Sequence, residues 1–345
     1  MTRYFCTYFD HHYLPRGLAL YQSLRRHCPS FELWVLCMDR ATYDVLSRLA
    51  LSGIHVIALE DFEENDEALV RTKLHRTLIE YYFTCTPSLP LYIFRRYPDV
   101  DIITYLDADL FFFADPTPLF DEVADDSIAI VGHRFPPHLR DLECFGIYNV
   151  SWLSFRRDER ALACLRWWRD RCIEWCYDRC EDGRFADQKY LDHWPSLFQG
   201  VLVLRHKGAN LAPWNLANYT IRPAGDRVWV DDQPLIFFHF HGLKQVTNWL
   251  YDPNWAVYEI CRSEVVLQRI YAPYILSLLD AIQLVQPPLG NRPLRSSLRG
   301  HTTNSRSLGH SALLLAAARH LRGLLGVCRR ILARQCFFVI NGRVI

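Results

Sequence analysis

Apolar and polar positions along the chain fall into short segments that alternate between two periods. Residues 3–9 form an apolar strand-like run, 13–27 carry helical spacing, 31–38 read as a second strand, 41–51 as a second helix and 54–59 as a third strand. This rhythm predicts a parallel sheet covered by helices. Residues 69–97 read as helical with a break around Pro87 and Pro90, and lead into an apolar strand at 102–106 that stops at Asp107. That places Asp107 at a strand's C-terminal end, where open α/β sheets bind ligands. Further on, 127–132 and 148–155 read as strands, 159–180 as a long helix and 185–193 as a short one. Strand pieces near 200–204, 219–222, 227–230 and 234–241 precede a helix at 264–282. Beyond Pro287-Pro288, proline, glycine, serine and arginine dominate to about Leu308 and mark a linker. The expected organisation is one unit over 1–285, a linker over 286–310 and a basic amphipathic helix over 311–345.

Half of the 345 residues are hydrophobic, which excludes a disordered or fibrous class. The net charge of +1 hides an uneven distribution: up to Asp280 there are 29 Lys and Arg against 38 Asp and Glu, and from Ala281 onward ten Arg and no acid. An acidic body argues against nucleic acid as a partner. The basic tail from Ser311 suits a helix lying on an anionic membrane surface, with packing against the acidic body as the alternative. No apolar run reaches the ~18 residues that span a bilayer. The first residues carry no leader-like pattern, so the expectation is a cytoplasmic protein, peripheral on the cytoplasmic face of the inner membrane if the tail docks there. Twelve cysteines spread through apolar segments read as buried thiols. Cys172, Cys176 and Cys180 would form one helical stripe about 12 Å long, too long for one metal.

The candidate chemistry begins at Asp107-Ala-Asp109, two carboxylates inside an apolar stretch. Burying both unpaired is costly, and a hard divalent cation such as Mn²⁺ or Mg²⁺ removes the cost; a buried salt bridge or turn is the alternative. Asp99-Val-Asp101 has the same spacing in a polar turn, where water suffices. His239-Phe-His241-Gly242 ends another apolar strand, and alternation would put both imidazoles on one face; a structural role is equally open. Lys244 could neutralise a phosphate. In Asp187-Gln188, the carboxylate could be a helix N-cap.

Thr7 to Tyr13, Tyr105 to Asp109, Tyr148-Asn149, Asp187-Gln188 and His239 to Gly242 together resemble the GT-A-fold glycosyltransferases. The likeness is greatest to glycosyltransferase family eight, which includes glycogenin and lipopolysaccharide galactosyltransferases, and greater still to transferases of bacterial polysaccharide gene clusters. It covers residues 3–250. The resemblance implies a GT-A α/β fold, with a mixed sheet flanked by helices, and metal-dependent transfer from a nucleotide-sugar donor, a UDP-sugar, to a glycan or lipid-linked acceptor with retention. It implies that Thr7, Asp10 and Tyr13 hold the nucleoside, with Tyr13 stacked on uracil. Asp107 and Asp109 would share Mn²⁺ with the diphosphate, with His239 as third ligand and His241 in reserve. Asn149 would contact sugar or acceptor, and Asp187 and Gln188 would lie beside the donor sugar. Lys244 falls one residue before the family's phosphate lysine, and the Pro-Trp that follows that lysine is absent. A haloacid-dehalogenase-type phosphatase and a non-catalytic nucleotide-sugar binder remain the rival readings.

Overall fold

A computed structural model of the chain describes residues 2–289, 336–340 and 343–345. A seven-stranded sheet lies at its centre, built from β1 (Arg3–Phe9), β2 (Phe31–Cys37), β3 (Ile54–Ala58), β4 (Ile102–Leu106), β6 (Ile128–Gly132), β7 (Tyr148–Arg156) and β8 (Val201–Leu204). A short strand, β5 (Leu110–Phe112), stands outside it. The order is β3-β2-β1-β4-β7-β6-β8. β7 runs antiparallel to both its neighbours, β4 and β6, while the other pairs are parallel. The sheet is therefore mixed and flanked by helices, as the resemblance implies, and not wholly parallel as the early βαβ rhythm alone predicts. That rhythm governs only the first half of the chain, and β7 follows a 3-10 segment, Pro137–Phe145, rather than an α-helical crossover.

Both faces of the sheet are buried, so its strands are apolar runs with little polar alternation. Along β1, Phe5 and Phe9 join one core with Leu18, Val35 and Trp152, and Cys6 joins the other with Trp34, Ile103 and Trp168. α1 (Leu14–His27) and α2 (Arg40–Leu49) cover the first face. The second is covered by α3 (Leu59–Glu63), α4 (Glu67–Thr72), α5 (Leu78–Cys85), α6 (Ser88–Arg96) and, beyond α7 (Thr117–Val123), α8 (Glu159–Glu174). Gly17 lets α1 lie directly on β1, since a Cβ there would come within 2.2 Å of the Phe9 ring. The predicted helix at 159–180 stops at Glu174. There Arg76 donates to the carbonyls of Cys172 and Ile173, and Trp175 turns extended. Cys172 and Cys176 are buried thiols as expected, and Cys180 is exposed.

After α9 (Trp194–Leu197) come β9 (Ile221–Ala224), β10 (Arg227–Val230), β11 (Gln233–Pro234) and β12 (Phe237–His239). Next are β13 (Lys244–Thr247), β14 (Leu250–Asp252), α10 (Glu264–Val266) and a π-helical turn, Leu267–Tyr271, that runs into α11 (Ala272–Leu289). By length and composition the helix Glu264–Gln286 is apolar enough to cross a membrane, although no single run of the sequence is; 56% of its apolar window is buried within the fold. Two more strands, β15 (Phe337–Ile340) and β16 (Arg343–Val344), extend β13 and β14. This corrects the expected helix over 311–345 at its end. Phe337 and Val344 are buried beside Trp255, Tyr271 and Tyr274, which makes them part of the body's third core. The expected linker from Gly290 onward and most of the tail, 311–335, lie outside the described residues.

Candidate metal and donor site

The site grows from the end of β4. Asp107 leaves the strand with its N–H bonded to the carbonyl of Ser151 at 3.1 Å, which fixes the backbone against β7. Three residues later the chain enters β5, which pairs antiparallel with β12 so that Leu110 faces His239. Phe240 N–H donates to the Asp109 carbonyl at 3.0 Å. This ribbon delivers a histidine from the far end of the sequence to the carboxylate pair. His239 Nε2 lies 3.1 Å from Asp109 Oδ1 and 3.8 Å from Asp107 Oδ2. One ligand atom from each of the three residues falls within 4.8 Å of the others. Among the described residues neither carboxylate pairs with an arginine or lysine; the cation that faces both, when its ring is protonated, is His239.

Electrostatics separate the two acids. Burial pushes Asp107 up to about 6; the His239 charge opposes this and the Asp109 charge adds to it. Tyr105, whose hydroxyl donates to Asp107 Oδ1 at 3.0 Å, also favours the ionised form. Asp109 is half-buried, and the charge and hydrogen bond of His239 outweigh its desolvation and hold it at about 2. Burial works against an imidazolium at His239, yet Asp109 and Asp107 raise its pKa above the ordinary value. The ring stands edge-on to Trp214 at 5.1 Å, and its Nδ1 is buried without a partner.

β12 ends at His239 and the chain turns through Gly242, at φ +75°, yet both imidazoles stand against Trp214, at 5.1 and 5.5 Å, on the one face expected for them. The His241 ring lies 5.7 Å from that of His239, exposed and outside the three-residue cluster, although its charge is felt at Asp109. Lys244 is half-buried at the start of β13. The β1–α1 turn lies on the same side. There Asp10 accepts the N–H groups of His12 and Tyr13 at 3.0 and 3.2 Å and the Tyr82 hydroxyl at 3.3 Å, which holds the turn in shape. The Tyr13 side chain is left 40% exposed, an open aromatic surface, whereas the Thr7 hydroxyl is fully buried without a partner.

Asn149 and Gln188 bind one another. Asn149 Nδ2 donates to Gln188 Oε1 at 2.9 Å, Val150 N–H reaches the same oxygen at 3.4 Å, and Gln188 Nε2 donates to the Phe145 carbonyl at 3.0 Å. Asn149 also lies 3.0 Å from His133 Nε2. Burial, with the charges of His239 and His241, pushes His133 down to about 3, so its ring is neutral and accepts from the amide. Asp187 makes no N-cap: the 3-10 turn that follows begins at Lys189 with no side-chain cap. Its carboxyl is buried at 4% exposure. Burial raises it to about 7; the Thr86 hydroxyl works the other way, and the charge of Asp107 adds to the rise.

Three residues absent from the sequence motifs, Arg16, His133 and Trp214, also adjoin the site. For Arg16 a signal was present, a cation in the first turn of a helix, where the macrodipole disfavours it. A separate cavity of about 660 Å³ between α1, α11 and β16, lined by Gln22, Arg26, Asp280 and Arg343 among others, contains none of the site residues.

No protein-family model matches the chain. It is 32% identical over 292 residues, 83% of this chain and 93% of the relative, to Uncharacterized protein YfnD of Bacillus subtilis (strain 168). The chain belongs to the YfnD family. A second member, Uncharacterized protein YfnF of the same strain, is 30% identical to it over 296 residues, 83% of this chain and 96% of that one. Among solved structures, the YfnD-family chain is similar to the galactosyltransferase LgtC in complex with donor and acceptor sugar analogs. That match has a TM-score of 0.49 and 18% identity over 69% of this chain and 87% of that one. It is also similar to the glycosyltransferase GlyE of Streptococcus pneumoniae TIGR4, at 0.47 and 18% over 83% and 63%, and to mouse xyloside xylosyltransferase 1, at 0.44 and 13% over 70% and 98%.

Proposed function

We propose that this chain is a metal-dependent glycosyltransferase that moves a sugar from a nucleoside diphosphate donor, a UDP-sugar, to a glycan or lipid-linked acceptor. The observation that carries the reading is the Asp107, Asp109 and His239 cluster at the C-terminal end of the central strand β4. Two carboxylate oxygens and one imidazole nitrogen within 4.8 Å fit a hard or borderline divalent ion such as Mn²⁺ or Mg²⁺. When bound, such an ion supplies Lewis-acid stabilisation of the diphosphate leaving group.

The remaining work falls to the chain's own residues. Tyr105 fixes the orientation of Asp107, and the β5–β12 ribbon fixes His239 opposite Asp109. The Asp10 turn presents the open face of Tyr13 to a base, with Thr7 in the strand beneath, and Lys244 lies at the phosphate end. Asp187 and the Asn149–Gln188 pair form the wall assigned to the donor sugar, with Gln188 positioned by the Phe145 carbonyl. Retention of anomeric configuration follows from the family resemblance alone.

The test is transfer or donor hydrolysis over a panel of nucleotide sugars with Mn²⁺. Wild type should turn over at least one UDP-sugar, and Asp109→Asn should lose at least about a thousandfold in rate, the scale of a main electrostatic contribution. Release of phosphate from p-nitrophenyl phosphate, blocked by Asp107→Asn and without any sugar transfer, would instead favour the phosphatase reading.

A further inference from the structure

Arg16 occupies an unusual position. It lies in the first turn of α1, whose aligned N–H groups already present partial positive charge. A guanidinium there is disfavoured unless its surroundings compensate, and what surrounds it is the site. Nη2 donates to the Leu243 carbonyl at 2.9 Å, in the loop that leads to Lys244. The guanidinium carbon sits 4.5 Å from the centre of the Tyr13 ring. Its charge is felt at Asp109 and helps to hold that carboxylate ionised, yet the two form no ion pair. Among the described residues Arg16 makes no ion pair; besides the bond to the Leu243 carbonyl, the Tyr274 hydroxyl stands against its guanidinium. The planar fork thus has donors to spare, between the ring assigned to the base and a carboxylate assigned to the metal.

We infer that Arg16 grips the terminal phosphate of the donor's diphosphate. The inference rests on the glycosyltransferase reading of the same site. Transfer breaks the bond between the anomeric carbon and the terminal phosphate oxygen. The bonding electron pair stays on that oxygen while the acceptor hydroxyl forms the new bond to the anomeric carbon and releases its proton to solvent, so the departing nucleotide gains one negative charge. Asp107 and Asp109 together cancel a divalent ion, which leaves the diphosphate's own charge to the protein's cations. Guanidinium suits this better than ammonium, because two parallel N–H groups match two phosphate oxygens. The bond to Leu243 also ties the grip to the loop that leads to Lys244.

Isothermal titration of the full chain with UDP and with UMP, in Mn²⁺, tests this. Arg16→Gln should weaken UDP binding about tenfold to a hundredfold, as expected for a lost charge-assisted hydrogen bond, and UMP by less than about threefold. Arg16→Lys should fall between, and it carries the comparison if the glutamine variant melts far below wild type. The inference is overturned if the folded variants bind UDP as wild type does. It is equally overturned if UDP and UMP weaken by the same factor, which is what a merely structural strap to Leu243 would give. A wild type that binds neither nucleotide with Mn²⁺ sinks the glycosyltransferase reading itself, and this inference with it.

Discussion

Asp187→Asn should reverse a pH-dependent loss of stability that the wild-type fold carries. The Asp187 carboxyl is raised from 3.8 to about 7, chiefly by burial. Below pH 4 it is protonated in the folded and unfolded chains alike and contributes no difference. Between pH 4 and 7 the unfolded chain releases this proton and the folded chain keeps it, so folding binds a proton and stability falls as pH rises. Above pH 7 both forms are ionised and the penalty is complete. A shift of about three units at roughly 1.4 kcal/mol each gives a penalty of about 4 kcal/mol. Asparagine keeps the shape and cannot ionise. Its altered hydrogen bond with Thr86 adds a constant offset, while the titration sets the slope. Urea unfolding of both proteins in EDTA at pH 4.5, 5.5, 6.5 and 7.5 would measure this. The variant should gain on wild type by about 3 of those 4 kcal/mol between pH 4.5 and 7.5, with the rise levelling off above pH 7. A difference that stays flat, or wild type gaining on the variant, refutes the assignment of a buried, proton-retaining carboxyl beside Asp107.

Wild type in Mn²⁺ at a hundredfold over its dissociation constant should gain about 2.7 kcal/mol, visible as a higher thermal midpoint, and His239→Ala should lose most of that gain; an undiminished shift in the variant removes His239 from the ligand set. Gly17→Ala should cost about 1–3 kcal/mol in urea unfolding, because its methyl would meet the Phe9 ring at 2.2 Å; an unchanged midpoint would mean that α1 can lift from β1 freely. Gln188→Ala leaves the buried Asn149 amide and Val150 N–H without their acceptor and should cost about 1–3 kcal/mol. A double-mutant cycle with Asn149→Ala should show coupling above about 0.5 kcal/mol, and strict additivity would contradict the pairing.

The strands at 3–9 and 102–106 were legible because burial on both faces of a sheet writes an uninterrupted apolar run. β5 was not, since its three residues read as a continuation of the apolar flank of Asp109; what makes them a strand is pairing with β12, more than a hundred residues away. The helical stretch at 69–97 resolves into α4, α5 and α6, with a capping box of Thr77 and Glu80 opening the middle one. Asp107, Asp109 and His239 could be found because charge inside an apolar sequence is conspicuous. The mutual bonding of Asn149 and Gln188 could not, since nothing in either segment specifies its partner. His241 shares the face of His239, against Trp214, but lies outside the cluster of Asp107, Asp109 and His239.

The strands at 337–340 and 343–344 place a condition on how the chain is made. Phe337 packs at 5.1 Å from Trp255 and 5.0 Å from Tyr271, so the cluster that supports β12 from behind is closed by residues the ribosome adds after all the candidate ligands. A chain cut short before Cys336 would carry the metal-binding side chains on a ribbon whose backing is missing. Messages interrupted there should yield protein that is cleared by proteases rather than a shortened working enzyme.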